Sequence, residues 1–174
     1  CSYYLSALLL ALHGQVSLAD DDTDWNSGSF IPRADWREQQ AELPAYPEEG
    51  RLLEVAVVTG SYPYRVYIDP ESLSIGTDRV VRYAAVITSA AGARNISYEG
   101  LRCSTREYRR YAYGTNGNWQ TLDGTSWERI MESGMGHYRY DLYRDYLCDT
   151  TSSTLKRDEI LRRLRYSRGG VLDE

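Results

Sequence analysis

Lysine and histidine are close to missing from this chain. Of its 20 basic residues only Lys156 is lysine, and 25 Asp and Glu outnumber them for a net charge of −5. That balance excludes general nucleic-acid binding, which needs a net basic footprint. The two histidines are His13 and His137. His13 belongs to an apolar leader, so any imidazole-dependent nucleophile would rest on His137 alone. That residue lies in the connector Gly134-Met135-Gly136-His137, where a solvated polar role is the expectation. Phosphate loops are lacking too: there is neither G-x-x-x-x-G-K-[ST] nor G-x-G-x-x-G opening a helix. No apolar run approaches the roughly 20 helical residues that span about 30 Å of hydrocarbon. With no cofactor motif and too few ligands for a zinc site, no metal, cofactor or catalytic constellation is assigned.

The longest apolar run, Tyr3 to Leu12, has the length of a signal-peptide h-region, and Val16-Ser17-Leu18-Ala19 supplies small residues at the −3 and −1 positions. Residues 1–19 therefore read as a signal peptide truncated at its start, with cleavage before Asp20. Export to the periplasm follows, with outer-membrane association left open, as does the absence of a transmembrane segment from the mature chain. Removal of the leader takes Cys1 with it. Cys103 and Cys148 then remain in an oxidising compartment, where an even count reads as a disulfide. Closing a loop of that length stabilises by about 4 kcal/mol on the chain-entropy argument.

Sixteen tyrosines stand against one phenylalanine. Side chains that are large yet carry a hydroxyl suit half-buried sheet faces and polar grooves. Residues 20–50 form an acidic arm in which nine acids face two arginines, with a helix expected over Ala34 to Leu43, ended by Pro44 and Pro47. Residues 51–168 read as the folded domain. Strands are expected over Leu52–Gly60, Tyr64–Asp69, Leu73–Gly76, Val80–Ser89, Asn95–Cys103, Glu107–Tyr113 and Trp119–Leu122. Val80–Ser89 places Val81, Tyr83, Ala85 and Ile87 on one face and Val80, Arg82, Ala84, Val86 and Thr88 on the other. Asn116-Gly117 marks a hairpin. Helices follow at Tyr138–Leu147 and, behind capping residues Ser152 and Ser153, at Thr154–Tyr166. Residues 169–174 are a tail. The fold class is α+β: a largely antiparallel β-sheet meander with one face open to water, C-terminal helices on the other and one disulfide.

The densest polar string is Asn95 to Cys103, backed by Arg106, Arg109 and Arg110, with Tyr108, Tyr111 and Tyr113 between them. Planar guanidinium forks among phenols suit an acidic glycan, a lipid head group or a partner's carboxylates. Asn95, Glu99, Arg102, Arg106, Arg109 and Tyr111 are the candidate binding residues. For Glu99 the alternative is an internal pair with Arg82 or Arg102 across neighbouring strands. A second use of carboxylates, general acid and base work on a glycosidic bond, would draw on Asp69, Glu99, Glu107, Asp141 and Asp145.

Several strings together carry a family resemblance: Leu43-Pro44-Ala45-Tyr46-Pro47, Tyr67 to Leu73, Val81-Arg82-Tyr83, Asn95 to Cys103, Tyr111 to Gly114, Trp119, Trp127 and Leu142 to Cys148. Over most of the chain from Leu43 to Cys148 the sequence resembles the CNP-one-like family of exported proteobacterial proteins, some of them lipoproteins. The resemblance implies an envelope location and the same cysteine pair, and no activity. The lipoprotein members' lipidation cysteine has no usable counterpart here, so a soluble periplasmic form is expected. The leading expectation is a non-enzymatic binding or envelope-assembly module that uses the Arg/Tyr-rich sheet face toward an envelope protein or an acidic glycan or lipid head group. The alternatives are a carboxylate-dependent hydrolase of envelope polymers and a purely structural envelope protein.

Overall fold

The computed structural model describes residues 36–58 and 63–166; the leader, Trp25, Phe30 and the terminal glycines lie outside them. Seven antiparallel strands form one sheet: β1 (Leu53–Val55), β2 (Tyr64–Ile75), β3 (Val81–Ser89), β4 (Arg94–Arg102), β5 (Glu107–Thr115), β6 (Asn118–Thr121) and β7 (Glu128–Arg129). The order β1-β2-β3-β4-β5-β6 follows the chain, with β7 pairing the start of β5. A meander of this kind needs only tight turns. Asn116 and Gly117, with φ of 51° and 78°, supply the β5–β6 turn, as the Asn-Gly pair predicts.

Two strands depart from the lengths their sequences suggest. Pro70-Glu71-Ser72 does not break β2: register slips between Asp69 and Ser74, and the extra residues form an irregularity inside one long strand. Leu52–Gly60, in contrast, contributes only three strand residues among those described, 52–58, and Val58 is exposed.

Helices occupy one face. Helix α1 (Tyr138–Asp141) continues into a π-helical turn, Leu142–Leu147, and ends at Cys148. Helix α2 (Arg157–Tyr166) begins later than the serines suggest. Cys148 and Thr154 pair as an isolated bridge, Leu155 N–H donates to the Leu147 carbonyl, and Asp149 Oδ1 accepts from Thr151 and Ser153 amides at 2.8 and 2.9 Å. Those bonds hold residues 149–155 as a loop. Tyr138, Leu142, Leu147, Ile160, Leu161 and Leu164 pack on Val66, Ile68, Val81, Tyr83, Ala85 and Leu101, the core-facing set of alternate strand positions. Cys103 and Cys148 form the disulfide, joining the end of β4 to the end of the π-helical turn with Cα atoms 5.6 Å apart.

The opposite face is not open to water. Arg82, Ala84, Val86, Ile96 and Tyr98 are all buried there. What covers them is the described part of the acidic arm, which carries no helix over residues 36–48 and instead runs as an irregular strap; Ala34 and Asp35 lie outside the described residues. The string has helix-compatible spacing, yet long-range bonds decide its conformation. Trp36 Nε1 donates to the Asp78 carbonyl at 2.9 Å, Arg82 Nη2 to the Gln39 carbonyl at 2.7 Å and Trp119 Nε1 to the Pro44 carbonyl at 2.9 Å.

Candidate functional site

Alternation along β4 sends Ser97, Glu99 and Leu101 toward the helices and Ile96, Tyr98 and Gly100 toward the strap. Glu99 pairs with Tyr83, whereas Arg82 pairs with Gly100 and so points away. Glu99 is internally paired, as one reading of the sequence holds, but to neither Arg82 nor Arg102. Its partner is Arg139 of α1. Arg139 Nε donates to Glu99 Oε2 at 2.7 Å and Nη2 to Oε1; Ser97 Oγ and Tyr138 Oη add bonds to Oε1 at 2.8 and 2.9 Å. The Arg139 guanidinium lies 4.0 Å from the Tyr108 ring centroid and 4.5 Å from that of Tyr138.

Burial by itself would raise the Glu99 carboxyl. The Arg139 charge and the hydrogen bonds from Arg139, Ser97 and Tyr138 outweigh it and hold the group below the ordinary carboxylate value. Burial, then the Glu99 charge, push the Tyr83 and Tyr138 phenols well above theirs. A carboxylate so held stays ionised and has no proton to donate at neutral pH, so Glu99 cannot serve as a general acid.

The strap face holds two more polar clusters. Asp78 takes Arg82 Nη2 at 2.6 Å on Oδ2 and Nη1 at 3.2 Å on Oδ1, with the Gln39 and Val80 amides completing its shell. Arg109 Nη1, Tyr111 Oη and Trp127 Nε1 all donate to Glu38, at 2.5, 2.8 and 3.2 Å. Arg102 stacks over Trp36 with its guanidinium 3.5 Å from the ring centroid. Three of the candidate binding residues, Arg102, Arg109 and Tyr111, are thus occupied by the strap. Arg106 lies elsewhere, bonded to Glu132 at 2.6 Å and stacked on Tyr140. The structure does not bring the arginines and tyrosines of residues 102–113 onto one surface, because β5 sends alternate residues to opposite faces.

His137 differs most from its expected place. It is buried, not solvated, with Nε2 3.3 Å from Asp141 Oδ2 and Nδ1 on the Glu132 carbonyl. Both ring nitrogens therefore face oxygen atoms of the protein's own fold. Asp141 also accepts from the Val58 amide at 3.2 Å and from Arg144, which makes the pair a fastener between α1 and the segment after β1.

One pocket, of about 580 Å³, opens beside the Glu99–Arg139 pair. It lies between the Ser89–Arg94 turn, the start of β4, β5, β7 and the Met131–Gly136 loop. Tyr138 and Arg139 form part of its wall, with Ile87 and Ile130 beside them. Arg94, Arg110 and Arg129 line it against one carboxylate, Glu128. Glu128 Oε2 accepts from Tyr108 Oη at 2.8 Å, and its Oε1 lies 3.8 Å from Arg110 Nη2. Asn95 is the one candidate binding residue on this lining, and it is exposed. Arg129 and Arg139 escape sequence reasoning. A strand of two residues has no periodicity to read, and nothing in Tyr138-Arg139-Tyr140 marks its arginine for burial. Among the described residues no cluster of three or more His, Cys, Asp or Glu could hold a metal ion, and no helix is long and apolar enough to cross a membrane.

A family model described as the CNP1-like family matches residues 32–165, a span that takes in every strand and α1. No curated protein and no solved structure matches the chain.

Proposed function

The chain belongs to the CNP1-like family, and from that kinship and the pocket we propose that it is an exported envelope protein whose task is to bind, not to catalyse. The observation that carries the reading is the pocket lined by Arg94, Arg110 and Arg129 beside Asn95 and the exposed Met131 and Met135. Its volume falls within the usual range of ligand sites, about 300–1,000 Å³. Guanidinium forks on a concave, partly apolar wall select carboxylate or phosphate oxyanions. The disulfide supports export, since such bridges persist in oxidising compartments. A two-carboxylate hydrolase gains no support: the lining offers Glu128 alone, and Glu99 is held by Arg139 behind it.

A ligand that binds only the folded state raises the unfolding temperature. Thermal unfolding in a detergent-free extract of envelope lipids and glycans should therefore show an upward shift for the natural chain. Asn95→Ala with Arg129→Gln, both exposed positions, should lose that shift while unfolding at the same temperature in buffer. Equal shifts in the two proteins, or no shift in either, would overturn the reading.

A further inference from the structure

We infer that the pocket takes a single-chain anionic amphiphile, its oxyanion (phosphate or carboxylate) held by Arg129, Arg110 and Asn95 and its aliphatic chain laid against Met131 and Met135. This rests on the binding reading above and adds the chemical class of the ligand.

Charge bookkeeping within the lining gives the head group. Arg139 is neutralised by Glu99 and Arg94 by Glu49. Arg110 faces Glu128 at 3.8 Å, the longest ion pair among the described residues, and shares its other end with the Tyr113 hydroxyl. Arg129 has no ion-pair partner among the described residues, and the Asn95 amide makes no side-chain hydrogen bond among them. The wall thus carries one guanidinium in excess, next to an unused amide donor. An oxyanion accepts from both, and charge-assisted bonds of that kind are the strong ones.

The apolar half comes from the loop after β7. Met131 and Met135 are 60% and 65% exposed, among the most exposed large apolar side chains described, and both border the same pocket. Thioether side chains adapt to flexible apolar ligands better than branched ones do. Ile87 and Ile130 continue that surface inward. A bare anion would leave this half of the lining wet, and a neutral chain would leave the Arg129 charge unanswered.

Isothermal titration, below the micelle concentration of each probe, separates the possibilities: dodecyl phosphate, laurate, inorganic phosphate and the neutral dodecyl maltoside. Dodecyl phosphate and laurate are expected to bind, and the other two at least about tenfold more weakly, the worth of one charge-assisted bond. Arg129→Gln should weaken both anionic amphiphiles by about tenfold, while Met131→Ser with Met135→Ser should weaken them and leave inorganic phosphate unchanged. Dodecyl maltoside binding as well as dodecyl phosphate would overturn the head-group assignment, and inorganic phosphate doing so would overturn the chain. Should no probe bind while the extract still stabilises the natural chain through Asn95 and Arg129, the ligand class falls and the binding reading stands. If both experiments fail, both readings fall.

Discussion

At the scale of single residues, the Glu99–Arg139 pair is the most consequential contact in the sheet. Taking a carboxylate and a guanidinium out of water costs several kcal/mol per ion, and only full hydrogen bonding offsets it. Glu99 has that, from Arg139, Ser97 and Tyr138. Removing one partner leaves the other charged and buried. Arg139→Met is therefore expected to lower stability in urea by about 3–5 kcal/mol at pH 7, and Glu99→Gln combined with Arg139→Met should recover at least half of that loss. Purely additive effects in the cycle would show that the ion pair does not couple the two sites. The pH dependence has a definite sign. The folded Glu99 carboxyl titrates below its unfolded value of about 4.3, so its contribution is complete above that value and is lost as pH falls through the folded one. The stability gap between the natural chain and Glu99→Gln should be widest at neutral pH and narrow below pH about 4.

At the scale of elements, the strap over residues 36–48 turns a two-layer fold into three layers. Its latch is crowded. A methyl group on Gly76 would come within 2.3 Å of Asp78 Oδ1, 2.7 Å of Arg82 Nη1 and 2.9 Å of Gln39 Oε1, so Gly76→Ala must disturb the Asp78–Arg82–Gln39 junction. Overpacking of this kind costs about 1–3 kcal/mol. Gly50, just beyond the strap, has open space where a Cβ would stand, and Gly50→Ala is the matched control. Denaturant midpoints should fall for the first and stay for the second, and equal midpoints would mean that the latch contributes nothing. The same element shows what the sequence conveys and what it withholds. Strands β3 to β6 are legible because alternation and the Asn-Gly turn are local signals. The strap is not, because Trp36 and Glu38 find their partners 42 to 89 residues away. Of the site, Asn95 and Arg110 were within reach of sequence reasoning. Arg129 and Arg139 were not, since their importance arises only when β7 and α1 close over the start of β4.

At the scale of the whole molecule, the Cys103–Cys148 bridge spans 45 residues and joins the sheet to the helical layer. Its removal through Cys103→Ser with Cys148→Ser should cost up to about 4 kcal/mol, read as a lower urea midpoint with little change in the folded circular dichroism spectrum. An unchanged midpoint would show the bridge to be idle. Both sulfurs are buried, so brief exposure of the native protein to a mild reductant should leave them oxidised until the chain opens. Strands β5, β6 and β7, helix α1 and the methionine loop all lie between the two half-cystines. They belong to a closed covalent ring. An endopeptidase that cuts once inside it, at the exposed Met131–Met135 stretch for example, yields a species heavier by one water and still a single molecule. Its two chains separate only when a thiol is added under denaturing conditions.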